Sequence, residues 1–165
     1  KNVTELKEII SARTNQLNQE LEALEKREQN VYKNQNRVRI AVHTLLAMEN
    51  LTGGIGRNVS AIAREFNNSV KNTTTLELKI QERSAIVKFF LGRDQKVVAE
   101  LEATLNKTAE RLEALKQIKE VCNCTDELKA ILQEQIASME AEQARLSQLV
   151  NSEKRNTGIL SWLFK

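Results

Sequence analysis

Positions 3, 10, 17, 24, 31, 38 and 45 read Val3, Ile10, Leu17, Leu24, Val31, Val38 and Leu45, an aliphatic column that repeats every seven residues without a miss. Such a repeat keeps one narrow apolar face turned toward a neighbour along the whole length of a helix. Proline, which breaks helix interiors, is absent from all 165 residues. Together these features predict an all-α chain made of long helices that pack lengthwise. With only four Phe, one Tyr and one Trp, the core must be filled by aliphatic side chains.

The companion column Thr14, Leu21, Glu28, Gln35, Val42 and Glu49 is apolar only in part, so the first seam carries polar layers of the kind that fix register in coiled coils. A helix running unbroken to residue 49 would be roughly 70 Å long. Gly53, Gly54 and Gly56 end it. A second seam follows at Val59, Ile62, Phe66, Ser69, Thr73, Leu76, Ile80, Arg83, Val87 and Phe90, with a kink or split expected at Thr73, Thr74 and Thr75, which are poor helix formers. Gly92 closes this helix and Asp94 caps the next. Val98, Leu101, Leu105, Thr108, Leu112, Leu115 and Cys122 form the third seam; Leu128, Leu132, Met139, Leu146 and Leu149 form the fourth, with Thr125 as its cap. The spacing therefore predicts helices over about 3–50, 57–91, 95–121 and 125–155. They form an elongated antiparallel bundle or coiled coil over residues 1–158, with both ends on one side, followed by an apolar tail over 159–165.

Seven Asn-x-Ser/Thr triplets begin at Asn2, Asn50, Asn58, Asn67, Asn72, Asn106 and Asn123, whereas a shuffled chain of this composition would carry about 1.7. A glycan is bulky and needs an outward face, and none of the seven falls on the apolar columns. The excess points to a glycoprotein of the extracellular space or cell surface; the alternative is an intracellular coiled-coil scaffold rich in Asn and Thr. The tail agrees with the first: Ile159, Leu160, Trp162, Leu163 and Phe164 are the most apolar cluster in the chain, and Trp beside aliphatic residues suits a membrane interface. It could equally fold back over the end of the bundle. The chain starts on Lys1 rather than Met, which fits processing, and no signal peptide or spanning segment is read within it.

No catalytic constellation emerges, and the chain is expected to be non-enzymatic, without cofactor or metal. Cys122 and Cys124 flank one residue and could close a small disulfide or bridge to a second chain. His43 is the only histidine, too few for a zinc site with this cysteine pair. The stretch "TGGIGR" lacks the Lys-Ser/Thr that completes a phosphate loop. Basic and acidic residues, 25 and 22, are interspersed, so no basic stripe for nucleic acid is present. If the bundle senses a ligand, Glu28, Gln35 and Arg83 are the polar seam residues that would meet it. The heptad seams could also pair two copies of the chain.

In overall form the chain resembles the extracytoplasmic four-helix-bundle sensor domains of chemoreceptors, which implies flanking membrane helices. The stretches "GGIGRNVSAIAREFNNSV", "RSAIVKFFLGRD" and "SWLF" look like those of uncharacterised membrane-anchored surface proteins of methanogenic archaea, and no function follows from that likeness. Heptad helices joined to a glycine-rich segment, a close cysteine pair and a Trp-containing end are also similar to envelope fusion proteins. The glycine segment here is internal and no activation site is present, which departs from that pattern.

Overall fold

Three helix starts are set by side chains that accept from otherwise unpartnered amides. Asp94 Oδ1 accepts from Val97 N–H at 3.2 Å, and Thr125 Oγ1 accepts from Leu128 N–H at 3.3 Å. Ser84 Oγ does the same for Val87 N–H at 3.2 Å. These caps and the spacing between them yield six α-helices: α1 Val3–Glu22, α2 Lys26–Ala47, α3 Gly56–Glu82, α4 Ala85–Leu91, α5 Gln95–Val121 and α6 Asp126–Arg155, with a 3₁₀ turn at Met48–Asn50. This is a computed structural model that describes residues 3–50 and 56–160. Among the described residues there is no strand, and the chain is all-helical as its sequence predicts.

Two expected helices are divided. The first breaks at Ala23–Glu25, where Leu24 N–H turns back to Leu21 O at 3.1 Å and Leu24 O accepts from Gln29 Nε2 at 2.8 Å. α1 then packs back along α2: Asn36 Nδ2 donates to Leu17 O and Arg39 pairs with Glu20. The second breaks at Arg83–Ser84 rather than at Thr73–Thr75. α3 continues through the threonines because Thr74 and Thr75 return their hydroxyl protons to the carbonyls of Val70 and Lys71, at 2.8 and 3.0 Å, and Thr73 and Thr74 are buried. Packing outweighs their weak helix propensity. The seam consequently stops at Ile80; Val87 and Phe90, expected on it, are exposed on α4.

The long helices close a ring of contacts, α2 on α3, α3 on α5, α5 on α6 and α6 on α2. Cross-links fix their directions. Gln35 with Glu77, and Glu49 in the turn after α2 with Arg64, join α2 to α3; Glu65 with Arg111 and Asn72 with Thr104 join α3 to α5; Lys116 with Glu140 and Glu102 with Lys154 join α5 to α6. In each pair of helices, residue numbers rise along one as they fall along the other.

Two hydrophobic clusters fill the ring. The larger takes Leu6 from α1, Leu45 from α2, Phe66 from α3, Leu115 from α5 and Leu132 from α6 among its members. The smaller is built from Leu76 and Ile80 of α3, Val98, Leu101 and Leu105 of α5, and Leu146 and Val150 of α6. Because α1 doubles back, its start lies beside the start of α6, with Lys7 Nζ 2.7 Å from Glu127 Oε1 and Val3 packed on the larger cluster. The end of α6 lies a full helix length away, about 45 Å at the usual rise. For the described residues, the expectation that both ends share one side is overturned: the added reversal at Ala23–Glu25 places the start of α1 and the end of α6 at opposite ends.

Candidate functional site

Between the two clusters lies a layer of buried polar side chains from three helices. Glu77 on α3 is wholly buried, and Gln35 on α2 and Glu142 on α6 nearly so. Arg145, one turn after Glu142, meets Glu77 through two parallel bonds, Nη1 to Oε1 at 2.8 Å and Nη2 to Oε2 at 2.7 Å. It also donates to Glu142 from Nε at 2.8 Å and from Nη2 at 2.6 Å. Gln35 Nε2 donates to Glu142 Oε1 at 2.8 Å and to Glu77 Oε2 at 3.4 Å, and Gln81 Nε2 to Glu77 Oε1 at 3.2 Å. Burial by itself lowers the Arg145 pKa, but the hydrogen bonds to Glu142 and Glu77 and their charges outweigh it and hold the guanidinium above its ordinary value. Every carboxylate oxygen of the layer is engaged, which leaves none presented as a general base.

Of the polar seam residues expected to meet a ligand, only Gln35 belongs to this layer. Glu28 is half-buried in the first turn of α2. Arg83 donates from Nε to Gly92 O at 3.0 Å, and its Nη1 is 3.8 Å from Asp94, so it organises the approach to α5. Glu77, Glu142 and Arg145 were not expected. Glu142 carried a signal, since it continues the column of Leu128, Leu132, Gln135 and Met139 at alternating four- and three-residue steps. Beside the layer is a cavity of about 20 Å³ lined by Gln35, Thr73, Thr108, Glu142 and Gln143 among apolar neighbours. That is room for one water and far below the roughly 300 Å³ of a small-molecule site. Larger grooves, of about 450 and 330 Å³, flank α2 and share Tyr32 and Arg39. The first is bordered by the acceptor Asn67.

The acceptor asparagines sit mostly on helices. Asn58, Asn67, Asn106 and Asn123 are exposed and Asn72 is half-buried, with its Nδ2 donating to Thr104 Oγ1 at 3.2 Å. A glycan on Asn72 would displace that bond. Asn2 and the side chain of Asn50 lie outside the described residues. Asn123 lies in the turn between α5 and α6, the setting most open to modification. On either side of it the sulfurs of Cys122 and Cys124 are at disulfide distance, with Cα atoms 5.2 Å apart. His43 is exposed on α2. Among the described residues no three or more His, Cys, Asp or Glu gather as a metal site.

At the opposite end, the described part of the tail is clasped to α4. Ile159 N–H donates to Phe89 O at 3.0 Å, Leu160 N–H to Phe90 O at 2.9 Å and Arg93 N–H to Asn156 O at 3.0 Å. The backbones cross at Gly92 and Gly158, both at positive φ, where a Cβ on either would collide with the main chain of the other segment. Ile159 nevertheless stays half-exposed. Trp162, Leu163 and Phe164 lie outside the described residues. No described helix is long and apolar enough to cross a membrane. Comparison with protein-family profiles, curated proteins and solved structures gave no match.

Proposed function

We propose that the protein is a non-enzymatic, glycosylated ectodomain of a membrane-anchored surface protein, in which α2, α3, α5 and α6 form an antiparallel bundle or coiled coil that acts as a spacer and interaction module. The observation that carries this reading is the exposure of Asn58, Asn67, Asn106 and Asn123 in a chain with seven acceptors. The paired Cys122 and Cys124 agree with an oxidising compartment. The polar layer supports a register role, because its charges are satisfied in only one alignment of α2, α3 and α6. The interior cavity of about 20 Å³ admits no metabolite, so a sensing role would have to use the open grooves of about 450 and 330 Å³ beside α2.

An intracellular scaffold is the second reading. It is favoured by the position of Asn58, Asn67, Asn72 and Asn106 within helices rather than loops. Intact mass of protein from its native host, before and after glycan removal and with alkylation of free thiols, separates the two. A mass loss on glycan removal with no alkylation is expected; unmodified asparagines together with two alkylated cysteines select the scaffold. Light scattering decides whether the helical seams pair two copies of the chain.

A further inference from the structure

The residues of α4 make an unusual helix. Five of its seven side chains are large and apolar, yet none is buried: Ile86 is 72% exposed, Phe89 59%, Leu91 47%, Phe90 42% and Val87 36%. An apolar helix left outside the core is costly unless something covers it. α4 is also held firmly in that position. Ser84 caps it, Lys88 Nζ reaches back to the buried Glu153 at 2.8 Å, and the Gly92–Gly158 crossing bolts it to the chain that leaves α6. That crossing sets Ile159 beside Phe89 and Phe90, which extends the apolar surface from α4 into the tail.

The charge around this surface has one dominant sign. Residues 82–96 and 153–160 contain Arg83, Lys88, Arg93, Lys96, Lys154 and Arg155 against Glu82, Asp94 and Glu153. Six cations less three anions is +3, and Glu102, which pairs with Lys154 from α5, lowers the local excess to +2. Protruding apolar and aromatic side chains above a cationic collar match the interface of an anionic bilayer, where apolar groups enter the acyl boundary and cations meet headgroups. A helix of seven residues cannot span a bilayer, so its insertion is interfacial.

We propose that α4 and the clasped Ile159–Leu160 segment form a membrane-docking foot that inserts into anionic lipid surfaces, independently of residues Trp162–Phe164. This rests on the reading of the C-terminal end as membrane-proximal and assigns a lipid contact to a second, non-contiguous segment.

The test uses the full chain in flotation with phosphatidylcholine vesicles and with vesicles containing phosphatidylglycerol. Three proteins are compared: the unaltered chain, the pair I86S and F89S, and the triple W162A, L163A and F164A. Binding to the anionic vesicles is expected, weakened at least tenfold by the α4 pair and retained in measurable part by the tail triple. In a second measurement independent of those variants, an environment-sensitive dye at position 86 brightens on adding anionic vesicles, while the same dye at Asn106 does not. If the tail triple abolishes binding and the α4 pair leaves it unchanged, the foot is overturned while the membrane-proximal reading stands. If the unaltered chain binds neither vesicle, both fail. Self-association lost in the α4 pair, with no vesicle binding, overturns the lipid assignment in favour of a second copy of the chain.

Discussion

The two hydrophobic clusters are built from the same kinds of side chain and differ in how many helices surround them. Five helices contribute to the larger, including the doubled-back α1. Three contribute to the smaller, and no residue of α1 or α2 belongs to it. The glutamate–arginine layer divides them. Covalent chemistry is unequal too, for the larger cluster lies toward the cysteine turn and the smaller toward the exposed α4. The difference teaches that an aliphatic seam alone does not set local stability; the number of neighbours that can close over it does.

The sharpest way to break this comparison is to truncate one side chain on each side. Leu115→Ala in the larger cluster is expected to cost about 4 kcal/mol and Leu101→Ala in the smaller, an equally buried leucine, about 2.5 kcal/mol, measured by urea denaturation. The second value is lower because fewer packed neighbours leave the site freer to collapse. Equal losses would mean that the two clusters are energetically alike.

At the boundary, Arg145→Met leaves two buried carboxylates without their cation, and a loss of about 3 kcal/mol is expected, toward the low end for a buried pair because Arg145 is partly exposed. Replacing Glu77, Glu142 and Arg145 together with Leu, Leu and Met should recover much of that stability. It should also broaden the amide spectrum by NMR if the layer selects register. A sharp spectrum from the triple variant would remove the register role.

A smaller effect is expected at the clasp. Gly158→Ala puts a Cβ where φ is +68° and the Gly92 main chain already sits, costing about 1–2 kcal/mol. Hydrogen exchange should rise at Ile159 and Leu160, whose amides bond to α4, and stay unchanged at Phe66. The smallest effect concerns Lys116, whose pKa is raised from 10.5 to about 12 by hydrogen bonds to Glu113 and Glu140. A raised lysine stabilises fully below its unfolded pKa and ceases to as pH climbs through the folded one. The melting advantage of the unaltered chain over Lys116→Met should therefore be constant from neutral pH up to about pH 10 and vanish above about pH 12.

Where side chains act locally, the sequence was legible. Asp94 and Thr125 sit at the starts of α5 and α6, and the spans 95–121 and 125–155 match those helices to within a residue. The Cys122–Cys124 turn was equally readable. The reversal at Ala23–Glu25 was not, because it uses neither Gly nor Pro and the heptad column passes through Leu24 without losing phase. Each half still needs an apolar face, so the pattern is the same for one long helix or for two folded together. The threonine run misled in the opposite sense, since hydroxyl bonds to the preceding turn and burial against α2 and α5 override propensity. Of the polar layer, Gln35 was visible as a misfit in its column, whereas Arg145 lies off the seam and becomes part of the layer only by reaching across to Glu77.

The doubled-back first helix has a mechanical consequence. Tension applied between Val3 and Leu160 enters at one tip of the molecule and leaves at the other, so the load runs along the rods and must shear whole rows of interlocked side chains at once. Had the ends shared a tip, the same pull would peel the helices apart one contact at a time. The reversal at Ala23–Glu25 thus turns a structure that could be unzipped into a strut that resists stretching.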